Sequence, residues 1–108
     1  MKPSTVVRAK EFLVTILDKA NADRMKYRGV HFKGIPASIG NPITNAGAIL
    51  GENGKLIGSH FNLKVDSEAD IVPFLKKDIY AKEDVWDFDT IQIKPILIAT
   101  REEKIMEN

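Results

Sequence analysis

The chain has 108 residues, of which 44% are hydrophobic and 29% charged, a composition suited to one globular domain with its own core. It contains no cysteine, which excludes a disulfide framework and thiolate chemistry, and its net charge of +1 gives no overall electrostatic footprint for nucleic acid. No apolar run approaches the ~20 residues that span a bilayer, and MKPSTVVRAK lacks a secretory apolar segment, so a cytoplasmic protein is expected, with a weaker mitochondrial reading from its basic, acid-free start.

In chain order, EFLVTILD (11–18) is apolar and β-branched and reads as a central strand. Asn21 or Asp23 is placed to cap a helix over roughly 21–39, because a short side-chain oxygen accepts from an unpartnered N–H of the first turn. GNP (40–42) stops it. ITNAGAIL (43–50) is a second strand, and GENGK (51–55) carries the Asn-Gly pair of a tight hairpin, since both residues tolerate positive φ. LIGSHFNLKV (56–65) is a third strand. Its alternation puts Ile57, Ser59, Phe61, Leu63 and Val65 on one face and His60, Asn62 and Lys64 on the other.

DSEADIVPFLKK (66–77) begins with cap candidates Asp66 and Ser67, and Pro73 should end or kink the helix that follows. DIYAKEDVWDFD (78–89) reads as an irregular aromatic segment, with Trp86 and Phe88 as core or dimer anchors. TIQIKPILIA (90–99) is the last strand, and Pro95 assigns it to an edge or a bulge. The domain spans 1–108, with its core over about 11–99 and flanking tails at 1–10 and 100–108.

The order β-α-β-β-α-β predicts an α+β domain of ferredoxin-like plan, a four-stranded antiparallel sheet with two helices on one face. Strands 11–18 and 56–65 look apolar on both sides, while two helices cover only one. A homodimer packed sheet to sheet is therefore expected.

Five segments together resemble the YCII-related family of small dimeric α+β barrel proteins: FLVTILD; DRMKYRGVH, with a histidine three residues after an arginine; TNAGAIL; the hairpin NGKLIGS; and DIYAKEDVWDFDTIQIKPI. The similarity runs from about 11 to 97. Ala48 and Ile79 stand where the family carries proline. The resemblance implies a dimeric α+β barrel and a catalytic pair, His31 with Asp78. Arg24, Arg28, Ser59 and Tyr80 fall at the family's matching positions as substrate-binding residues. One related group removes chloride from a chlorinated hydroxyquinol, so the implied activity is that of a lyase or dehydrochlorinase.

The chemistry of the pair is coherent. A carboxylate that accepts one ring N–H fixes the histidine tautomer and leaves the other nitrogen to move a proton. Arg24 and Arg28, one helical turn apart, could clamp an anion with their planar forks. The competing readings are a solvated basic face or salt bridges to 83–89 for the arginines, and an exposed helix position for His31; as a catalytic pair, His31 and Asp78 are too polar for the core and are expected to be dispensable for folding. His60 reads as polar surface or dimer face. His31 and His60 lack a third ligand at recognisable spacing, so no metal is expected. GENGKLIG lacks the spacing of a phosphate loop. Two accounts stand: a cofactor-free acid/base enzyme acting on a small aromatic or oxygenated acid, and a non-catalytic dimeric module that binds a small ligand or only assembles.

Overall fold

The computed structural model describes residues 10–102. The N-terminal segment behind the mitochondrial reading, and most of the expected flanking tails, lie outside the described residues. Four strands, β1 (Lys10–Asp18), β2 (Ile43–Leu50), β3 (Leu56–Val65) and β4 (Trp86–Ile96), form one antiparallel sheet in the order β2-β3-β1-β4. Among the described residues three α-helices accompany the sheet: α1 (Arg24–Gly34), α2 (Ile71–Leu75) and α3 (Ile79–Lys82). The order and the antiparallel pairing are compatible with a ferredoxin-like α+β fold. Among the described residues no helix is long and apolar enough to cross a membrane.

β1 is central, as its apolar composition predicts. Phe12, Val14 and Ile16 alternate inward and pair with Leu63, Phe61 and Ser59 of β3. The helices lie on this face, where Ile35, Ile71, Leu75 and Tyr80 join the strand residues and Trp86 in one core. The opposite face is mixed rather than uniformly apolar. Leu13 and Thr15 of β1 are half-buried there, beside His60 and Asn62 of β3.

Three element boundaries differ from expectation. The first helix spans 24–34 rather than 21–39. The Asp23 carboxylate caps it by accepting the Lys26 N–H at 3.2 Å, so Asn21 and Ala22 stay outside. At its end Pro36 lacks the N–H that would continue the ladder, and Pro36–Ser38 form a 3₁₀ turn. The second helical region begins as a 3₁₀ turn, Glu68–Asp70, with Ser67 accepting from Ala69 N–H. α2 starts only at Ile71, so Pro73 occupies the first turn, where its missing N–H costs nothing. The segment read as irregular contains α3 and the first four residues of β4.

β4 starts at Trp86 instead of 90 and ends at Ile96. Its register against β1 shifts between Thr15 and Leu17, where the Leu17 N–H donates to Thr90 Oγ1 at 2.9 Å. Among the described residues the strand pairs only with β1, and Pro95 sits on the sheet edge, as predicted. At the β2–β3 hairpin Asn53 and Gly54 adopt φ of 63° and 73°, the left-handed conformation the Asn-Gly pair is suited to. Beyond β4, Arg101 returns to Glu11 and Thr44, so this part of the expected tail is bonded to the sheet.

Candidate functional site

The site lies where α1 and α3 meet over the inner face of the sheet. Asp78 precedes α3 and caps it, its carboxylate accepting the Tyr80 N–H at 2.9 Å. The same carboxylate accepts from His31 Nδ1, which is 2.9 Å from both of its oxygens. The cap therefore sets the position of the carboxylate that orients the imidazole. His31 is not an exposed helix residue. It is 8% exposed, stacked on Tyr80 at 4.1 Å between ring centroids and 18° between planes, and T-shaped against Trp86 with 6.1 Å between centroids.

Arg24 is 6% exposed. Its Nε and Nη2 donate to the two oxygens of Asp18 at 2.7 and 3.0 Å, and Nη2 also donates to Ser59 Oγ at 2.6 Å. Ser59 Oγ accepts a second bond from Trp86 Nε1 at 3.1 Å. The guanidinium carbon stands 4.6 Å from the Tyr80 ring centroid, a cation–π contact. Tyr80 thus joins two groups, His31–Asp78 and Asp18–Arg24–Ser59–Trp86. Arg28, half-buried one turn along α1, lies over the Phe32 ring at 4.4 Å.

The Tyr80 hydroxyl is buried and has no hydrogen-bond partner among the described residues. Burial pushes the phenol above its ordinary pKa, aided by the Asp78 and Asp18 carboxylates and opposed by Arg24 and Arg28. The phenol is therefore protonated at neutral pH, a donor rather than a base.

His31 and Asp78 line a cavity of about 320 Å³ between α1, α2 and α3, whose inner wall includes Ile35, Ile43, Phe61 and Leu75. Lys77 and Lys82 also line it. Arg24, Arg28, Ser59 and Tyr80 do not; they stand behind His31 or along α1. The sequence reading passed over Asp18, Trp86 and the two lysines as site residues. Asp18 at a strand end and lysines in a charged segment carry no distinguishing pattern; the Arg24 fork brings in Asp18, and the packing of α3 against α1 brings the lysines to the cavity. His60 projects to the opposite face of the sheet from Ser59 and Phe61, away from His31.

The chain matches no protein-family model and no curated protein sequence.

Proposed function

We propose that the protein is an acid/base enzyme acting on a small aromatic or oxygenated acid, with His31 as the proton-transferring group and Asp78 as its orienter. The observation that carries this reading is the bond of His31 Nδ1 to the Asp78 carboxylate in the wall of a cavity large enough for a small molecule. With Nδ1–H donating to Asp78, the neutral ring keeps its lone pair on Nε2, which has no hydrogen-bond partner among the described residues. Nε2 then takes a proton from a carbon or hydroxyl of the substrate and returns it to the leaving group or product. The stacked Tyr80 ring fixes the imidazole plane, and Arg24 holds Tyr80 and Ser59 in place from behind. The resemblance to the YCII-related family points to the same pair.

The resemblance also supports a homodimer built as an α+β barrel, and the half-exposed Leu13 and Leu17 give the outer sheet face apolar surface to bury. A sedimentation-equilibrium mass of two chains at micromolar concentration is expected; a mass of one chain counts against the barrel.

The catalytic reading is tested by incubating the protein in D₂O with a panel of aryl, hydroxy and halogenated carboxylic acids. Proton exchange and elimination are followed by NMR. Wild type should process at least one class, and His31→Gln and Asp78→Asn should lose that turnover while retaining the fold. Binding without turnover across the panel would favour the non-catalytic module instead.

A further inference from the structure

The cavity beside His31 has two chemically distinct ends. Its inner wall is apolar, formed by Ile35, Ile43, Phe61 and Leu75, all buried. Its outer wall carries the exposed side chains of Lys77 and Lys82. Among the described residues neither lysine forms an ion pair, whereas the one carboxylate in the wall, Asp78, is already engaged by His31. Two ammonium groups thus line the cavity with one carboxylate, an excess of one positive charge beside a neutral imidazole. Arg24 does not supply the anion site, because it lies outside the cavity lining and its Nε and Nη2 are engaged by Asp18 and Ser59.

We infer that the cavity takes a monocarboxylate with an apolar body, and that Lys77 and Lys82, rather than the arginines of α1, hold its carboxylate. This rests on the cavity being the ligand site of the function proposed above. The size, about 320 Å³, is at the low end of small-molecule pockets, which span roughly 300–1,000 Å³. A polyanion fits poorly, because the apolar inner wall would strip its hydration without offering donors. An uncharged molecule would leave the two lysines unused. The apolar body occupies the inner wall, the carboxylate stays at the wet end between the lysines, and the atoms near the imidazole are those placed for proton transfer.

The test compares 4-phenylbutyrate with its primary amide, which keeps the body and removes the charge. Both are titrated into the full-length ¹⁵N-labelled protein and followed by amide chemical shifts. The carboxylate should bind roughly fivefold more tightly than the amide, the ratio expected from two partly exposed ion pairs. The double variant K77Q/K82Q should lose that preference, the carboxylate weakening to about the affinity of the amide for the same variant. Both lysines are exposed, and an unchanged thermal midpoint confirms that the variant folds. Equal binding of the two probes to wild type, or a preference that survives in the double variant, would overturn the lysine assignment yet leave the His31 cavity as a ligand site. No shifts at Gly34, Ser38, Asp78 or Ile79 with either probe would overturn the assignment together with the ligand-site reading.

Discussion

His31 and Asp78 are 47 residues apart in the chain, yet the imidazole Nδ1 lies 2.9 Å from each oxygen of the carboxylate. The contact is held from both sides. Asp78 cannot turn away without uncapping α3, and the imidazole cannot tilt without leaving the Tyr80 ring. Removing the imidazole should therefore cost stability as well as function. His31→Ala is expected to lose about 1–3 kcal/mol, the usual cost of truncating a buried, partnered side chain. A double-mutant cycle with His31→Gln and Asp78→Asn should show coupling of about 1 kcal/mol or more in urea unfolding. Additive effects would mean that the pair does not interact.

Arg24 is the more costly residue to lose. Arg24→Ala leaves the nearly buried Asp18 carboxylate without its counter-charge, and a loss of about 3–5 kcal/mol is expected. Arg24→Lys keeps a charge for Asp18 but not the planar fork that reaches Ser59 as well, so its loss should fall between Ala and wild type. Chemical denaturation of the two variants checks the order. Equal losses would show that the second arm of the fork contributes nothing.

Two glycines should respond with opposite sign. A Cβ on Gly58 would stand 2.5 Å from the Ile16 carbonyl oxygen and 3.1 Å from Leu17 Cα, both backbone atoms of the central strand. Gly58→Ala is expected to destabilise by about 1–3 kcal/mol. A Cβ on Gly29, inside α1, meets nothing within 4 Å, so Gly29→Ala should stabilise by about 0.5–1 kcal/mol through helix propensity. Thermal midpoints moving in the same direction would contradict this geometry.

The hairpin turn tolerates few residues. Gly54 has φ of 73° and Asn53 φ of 63°. A valine at Gly54 is strained in that region, and a proline at Asn53 cannot reach it, its ring holding φ near about −65°. Gly54→Val should cost about 1–3 kcal/mol, and Asn53→Pro should disrupt the β2–β3 hairpin. An unchanged midpoint for Gly54→Val would show that the turn has another form in solution.

Acid stability should depend on Glu11. Burial pushes its carboxyl up, but hydrogen bonds from Arg101 and Thr44, with the charges of Arg101 and Lys64, outweigh this and hold it below its ordinary value. A carboxylate with a depressed folded pKa adds stability that is present above the unfolded value, near 4.5, and lost as pH falls through the folded one. Glu11→Gln should therefore reduce stability at neutral pH and flatten its decline below about pH 4.5. Parallel pH profiles for variant and wild type would show that Glu11 is not held as described.

Local chemistry made the sheet readable. The inward alternation of Phe12, Val14 and Ile16 depends only on the twofold period of a strand, and the Asn53–Gly54 turn only on which residues tolerate positive φ. Helix ends were harder, because Asp23, Pro36 and Pro73 each permit several boundaries until the surrounding backbone bonds choose one. Resemblance named His31, Asp78, Arg24, Ser59 and Tyr80 as a group, but nothing along the chain could tell which of them line a cavity and which stand behind it. That depends on how α1 and α3 pack over the sheet. Packing places Arg24 against Asp18 and Ser59, buries His31 on Tyr80, and brings Lys77 and Lys82 to the cavity wall. A residue's charge and hydrogen-bonding capacity are written in the sequence, whereas partners such as Asp78 for His31 and Ser59 for Arg24 lie tens of residues away and are chosen only when the core closes.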